Sequence, residues 1–192
     1  MPLYLSWIEH RFCKAAVIGS SPMGDFHLIK FFMIKNYNYS HIISEKDQKK
    51  AINLTDNLIK SGNWCKFVPK YQTWPNLNQY DEFKIFEETF ITSCLQYLNF
   101  TPNFKVSMWV FRDNRFNNMK KDQFDLWHCH VDGKISGLYY LKNLRNEGTQ
   151  FKNFNMIPKK YTWHIYPSHL LHKPPVIKSF RNRYTIAANF EY

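Results

Sequence analysis

The chain has 192 residues, a length that suits one domain, alone or with an extension. Its 44% apolar and 18% aromatic content, with only 6 glycines, is enough to fill a hydrophobic core and excludes intrinsic disorder. A net charge of +11, from 26 basic against 15 acidic side chains, favours polyanions such as nucleic acid or acidic peptides. The basic residues are scattered and no nucleic-acid motif is present, so a solvated basic surface is the plainer reading.

No apolar run is long enough to span a bilayer. The apolar stretch at 13–19 is short and broken by Lys14, and an apolar segment, Leu3 to Ile8, precedes the charged group Glu9, His10 and Arg11. That order is wrong for a secretory signal and points to a cytoplasmic protein. The four cysteines, Cys13, Cys65, Cys94 and Cys129, form no CxxC pair, which fits reduced thiols.

Residues 1–40 show no pattern that assigns them a role and are set apart as an N-terminal extension; residues 41–192 are expected to form one domain. Helices come first, over 41–103. Ser44-Glu45-Lys46-Asp47 can cap a helix, Ile52, Leu54, Leu58 and Ile59 supply its apolar stripe, and Ser61-Gly62-Asn63 ends it. A second helix is expected after Pro75, with Phe83, Phe86, Phe90, Cys94 and Leu98 at the spacing of a buried face and Leu95 alongside.

From residue 104 the pattern changes to strands, at 106–111, 124–131, 135–141, 149–154, 161–166 and 184–190. Turn formers such as Asp113-Asn114, Asp132-Gly133, Asn146-Glu147-Gly148 and Pro174-Pro175 separate them. Short strands with no helix between them predict an antiparallel sandwich or barrel, here a mainly β fold with the helices packed on one outer face.

The run Trp127-His128-Cys129-His130-Val131-Asp132 holds the chemistry. On a strand, residues two apart share a face, so His128, His130 and Asp132 would line one side. Two such side chains can hold a divalent metal, and His172, at another strand-to-loop boundary, is the candidate third ligand. Three ligands on one side of an octahedral ion leave positions open for substrates, although zinc would accept the same nitrogens. His10, His27, His41, His164 and His169 are read as ordinary surface or core histidines.

Four ordered motifs resemble those of the iron(II)/2-oxoglutarate oxygenases, in the phage and bacterial branch related to prolyl hydroxylases. They are Ser107-Met108-Trp109-Val110; His128-Cys129-His130 with Ile135-Ser136-Gly137-Leu138-Tyr139-Tyr140; Tyr166-Pro167-Ser168 through His172; and Arg183-Tyr184-Thr185 through Asn189-Phe190. They span about residues 104–190. The resemblance implies a double-stranded β-helix, the cupin-like jelly-roll, with Fe(II) and 2-oxoglutarate as cofactors and O2 as co-reactant. It implies His128 and His172 as iron ligands and Arg183 as the partner of the cosubstrate's far carboxylate, all three catalytic. Thr185 and Tyr140 or Tyr139 would add hydrogen bonds there. The second ligand stays open: His130 in the frame His128-x-His130, or Asp132 in the frame His130-x-Asp132. The implied reaction is hydroxylation of a C–H bond on a protein or peptide side chain, with proline the leading guess. Alternatives are a nucleic-acid base oxygenase and a metal-binding cupin-like module without oxygenase activity.

Overall fold

Helix α1 (Glu45–Lys60) opens with a complete capping box in this computed structural model. Ser44 Oγ accepts from the Asp47 amide, and the Asp47 carboxylate accepts from the Ser44 amide. These bonds satisfy first-turn N–H groups that the helix itself leaves unpaired, a gain of about 1 kcal/mol. Beyond the helix, Gly62 takes the left-handed φ of 77° that ends the turn. The structure describes residues 34–64, 71–114, 127–130, 134–143, 146–175, 177 and 179–192. Among the described residues no helix is long and apolar enough to cross a membrane.

Helix α2 (Asp81–Leu98) buries Phe83, Phe86, Phe90, Cys94 and Leu98, the stripe expected from spacing, and stops at Asn99 with φ 63°. In α1 the buried positions are Ala51, Thr55, Leu58 and Ile59, while Ile52 and Leu54 pack at the margin.

Six antiparallel strands form the large sheet: β1 (Lys35–Asn38), β2 (Tyr71–Gln72), β3 (Lys105–Asp113), β4 (Ile135–Lys142), β7 (Thr162–Pro167) and β9 (Arg183–Glu191). Their order is β1-β7-β4-β9-β3-β2. Three short strands form a second sheet, β5 (Gln150–Phe151) between β6 (Phe154–Asn155) and β8 (His172–Lys173).

Strand β4 is buried at every position but its last, so it reads as a continuous run rather than an alternation. Its pleat divides those residues between two layers. Ile135, Tyr139 and Leu141 join the core shared with the helices, along with Tyr184, Ile186, Ala188 and Phe190 of β9. Leu138 and Tyr140 join a second cluster with Trp109, Ala187, Tyr166 and, from the small sheet, Phe151. We call the first side the helix face and the second the inner face. Gly137 explains how α2 approaches so closely: a Cβ there would stand 2.5 Å from the Phe90 ring.

Two expected strands differ from the structure. Over 124–131 the described residues hold only a one-residue bridge, His128 to His172, because His130 turns its N–H to the Ser168 carbonyl instead. The remainder of that stretch lies outside the described residues. The single strand expected at 149–154 is a tight hairpin of β5 and β6, folded at Lys152 and Asn153. Residues 35–38, at the end of the stretch set apart as an extension, pair with β7 in the main sheet.

Candidate metal and anion site

His128 and His172 are tied through the backbone: each N–H donates to the other's carbonyl, at 3.0 and 2.9 Å. His130 is anchored by its N–H to Ser168 O at 2.9 Å. These contacts bring one nitrogen from each of His128, His130 and His172 within 4.8 Å of one another. The His130 and His172 rings lie nearly parallel at 5.2 Å, and the His128 ring sits 4.4 Å from that of His172.

His172 is the deepest of the three, at 5% exposure. Its Nδ1 lies 2.8 Å from the Leu170 carbonyl, so Nδ1 donates there and Nε2 keeps its lone pair for a metal. Burial first, then the neighbouring His128 and His130, push its pKa down to about 3, which keeps it the neutral imidazole that coordination needs. Asn189 supports His130, its amide lying 3.4 Å from Nδ1 while its Oδ1 accepts from Ser136 Oγ at 2.9 Å. Phe151, Tyr166 and Trp109 wall the cluster, with ring distances of 5.7 and 5.5 Å to His172 and 6.1 Å to His130. Such walls limit water most at His172, the buried member of the cluster.

Strand β9 places Arg183 and Thr185 on the inner face, two residues apart, with Tyr140 directly opposite Thr185 on β4. Both β9 side chains are buried. The Arg183 guanidinium donates to Asp113 Oδ2 at 3.2 Å and sits 5.5 Å from the Tyr140 ring. Its Nε has no hydrogen-bond partner, and neither has Thr185 Oγ1. Two more buried polar atoms on this face share that condition, Trp109 Nε1 and His164 Nε2. A buried donor without a partner costs about 1–3 kcal/mol, and such groups cluster where a ligand supplies the missing bond.

The other expected site residues fall as follows. Tyr140 is on the inner face, but its hydroxyl is already engaged, accepting from Thr149 N at 2.9 Å and donating toward Thr149 Oγ1 at 3.1 Å. Tyr139 points to the helix face, its ring packed against Phe86 and Trp163, so the pleat takes it away from the histidines. Asp132 lies outside the described residues. Cys129 is disulfide-bonded, whereas Cys94 is a buried free thiol. The expectation of four reduced thiols fails at Cys129, since wide spacing in sequence carries no pairing signal. One of the grounds for a cytoplasmic location goes with it.

Sequence reasoning missed Asp113, which it assigned to a turn; the residue closes β3 directly opposite Arg183. It also passed over His164 as an ordinary histidine, and Asn189 beyond its place in a motif. Strand alternation from Tyr140 and Thr185 would have placed Asn189 inward. The pairing of β7 with β4, which places His164 beside them, has no local signal.

The fold is the jelly-roll of non-haem, 2-oxoglutarate-dependent enzymes, and its inner face holds a histidine cluster able to bind a metal. Among solved structures, the chain is similar to the viral collagen prolyl hydroxylase of Paramecium Bursaria Chlorella virus-1, with a TM-score of 0.59 at 14% identity over 82% of this chain and 88% of that one. It is also similar to the non-haem alpha-ketoglutarate-dependent carbocyclase SnoK of nogalamycin biosynthesis, with a TM-score of 0.63 at 8% identity over 81% and 79% of the two chains. HygX of Streptomyces hygroscopicus, solved with nickel and 2-oxoglutarate bound, gives a TM-score of 0.57 at 7% identity over 85% and 84%. At these identities the likeness is one of fold. No protein-family model matches the sequence, and no curated relative does either.

Proposed function

We propose that this chain is a non-haem iron(II), 2-oxoglutarate-dependent oxygenase, with His128, His130 and His172 as the metal ligands. One observation carries the reading: three imidazole nitrogens converge within 4.8 Å on the same inner face that holds buried, unpartnered atoms of Arg183 and Thr185. Nitrogen ligands on one side of the ion suit iron and leave room for a chelating keto acid. The far carboxylate of that acid would take the guanidinium of Arg183 and the hydroxyl of Thr185, a charge-assisted pair with a neutral hydrogen bond beside it.

When bound, iron and 2-oxoglutarate supply the oxidising chemistry: the keto acid, O2 and a substrate C–H become succinate, carbon dioxide and a C–OH. The chain's own part is positional. His172, with Nδ1 held by Leu170, aims Nε2 at the ion, and Asn189 steadies His130. Phe151, Tyr166 and Trp109 keep bulk water from the reacting atoms.

For the prime substrate we favour a protein or peptide side chain, as in the collagen prolyl hydroxylase whose fold the chain shares. The net charge of +11 gives a nucleic-acid base as the second reading. The test is succinate formation from 2-oxoglutarate with added Fe(II) in air. Wild-type protein should turn over slowly without prime substrate and faster with proline-rich peptides. His172→Ala and Arg183→Ala should each abolish turnover. If both variants keep it, the assignment is wrong. If the protein binds metal but makes no succinate, it is a metal-binding module and not an oxygenase.

A further inference from the structure

His164 is 1% exposed, at the centre of β7, and its side chain shares the inner face with Tyr140, Thr185 and Arg183. Its ring meets that of Tyr140 edge-on at 5.5 Å. Arg183 lies at the same distance from that same ring, and Thr185 is its direct cross-strand neighbour. Tyr140 is therefore a hub with His164, Arg183 and Thr185 grouped about it. Each of those three has a fully buried polar atom without a hydrogen-bond partner.

The charge on Arg183 is shared. Asp113, itself buried, takes one of its N–H groups at 3.2 Å, so an incoming carboxylate meets an arginine already paired to one anion. An ion-paired guanidinium attracts a second carboxylate less than a free one does. Neutral donors must then make up the difference, and Tyr140 cannot, because its hydroxyl is spent on Thr149. His164 can. Burial, with Lys159 adding to it, holds its pKa down to about 4, so the ring is neutral at neutral pH and keeps one N–H to donate.

We propose that His164 is a cosubstrate-binding residue whose Nε2–H donates to the far carboxylate of 2-oxoglutarate, beside Arg183 and Thr185. The inference rests on the oxygenase reading above and sharpens it: the anion end of the site is a neutral-donor cradle around a half-neutralised arginine.

Direct titration of 2-oxoglutarate into protein loaded with Mn(II) tests this without turnover. His164→Phe keeps a ring against Tyr140 and removes the donor; His164→Gln restores an N–H of similar reach. The Phe variant should bind 2-oxoglutarate at least tenfold more weakly, and the Gln variant should recover most of that loss. Mn(II) affinity should stay within twofold. So should the affinity for 2-oxobutanoate, which has the chelating end but no far carboxylate. Metal-free His164→Phe should unfold no earlier than wild type, since it removes a buried group with an unmet hydrogen bond. If it does not fold, His164→Met takes its place with the same expected outcomes.

The proposal is overturned if the Phe variant binds 2-oxoglutarate as wild type does, or if it loses 2-oxobutanoate equally. In the first case the oxygenase reading stands, because wild type still binds the cosubstrate. If metal-loaded wild type takes up no 2-oxoglutarate, the oxygenase reading itself falls, and this inference with it.

Discussion

The two faces of the large sheet are buried to a similar depth and treat polar groups in opposite ways. On the helix face, Trp163 Nε1 donates to Thr89 Oγ1 at 3.0 Å and the Tyr39 hydroxyl meets Ser93 at 2.9 Å. There the Tyr139 hydroxyl is left over. On the inner face, Trp109, His164, Arg183 and Thr185 each keep an unpartnered atom. One layer is closed chemically at all but Tyr139 and holds the fold together; the other gathers several open groups in the interior, an arrangement suited to a ligand that completes them.

The comparison breaks if the helix face proves dispensable. Phe90 touches Trp163 and Phe190 and covers Gly137, so Phe90→Ala should cost about 3–5 kcal/mol, read as a lower urea midpoint. A smaller insult to the same contact is Gly137→Ala, whose methyl would crowd the Phe90 ring. It should cost about 1–3 kcal/mol, and a midpoint equal to wild type would mean that α2 does not press on β4 as described.

The inner face should respond with the opposite sign. Thr185→Val removes a buried hydroxyl without a partner, so metal-free protein should gain up to about 1 kcal/mol. The same variant should bind 2-oxoglutarate several-fold more weakly. A loss of stability with unchanged binding would make Thr185 a structural residue.

The last effect is one of pH. His164 ordinarily titrates near 6.5 and is held to about 4 in the fold. The unfolded chain therefore binds a proton between those values that the folded chain refuses. Stability from this group is complete above pH 6.5 and declines as pH falls toward 4. His172 is shifted in the same direction, so His164→Phe should flatten the slope of urea midpoint against pH without abolishing it.

Local patterns in the sequence were good guides wherever the physics is local. The capping box at Ser44 and the stripe from Phe83 to Leu98 are decided within one helix, and both stand as read. Strands β3, β4, β7 and β9 lie close to the expected stretches, because long runs of aromatic and β-branched residues have few other uses. The two-residue strands β2, β5, β6 and β8 have no such run; they exist through their partners. At the site, alternate spacing suggested His128 with His130, a strand-to-loop boundary offered His172, and a family resemblance supported His172 and singled out Arg183. Nothing local shows that Asp113 would face Arg183, since their 70-residue separation is closed by the β3–β9 register. His164 was invisible for the same reason. Tyr139 and Tyr140 could be told apart only once the sheet had two named sides.

If His128 and His172 are metal ligands as proposed, the reciprocal pair of backbone bonds between them bears on metal choice. The span between these two imidazoles is set by a β-bridge and not by the ion, so little chain ordering is left for binding to accomplish. A preorganised span discriminates by size: an ion whose preferred nitrogen-to-nitrogen distance differs must strain the bridge or accept a longer bond. His130, anchored by its N–H to Ser168 rather than by a reciprocal pair, is then the proposed ligand with more freedom to adjust.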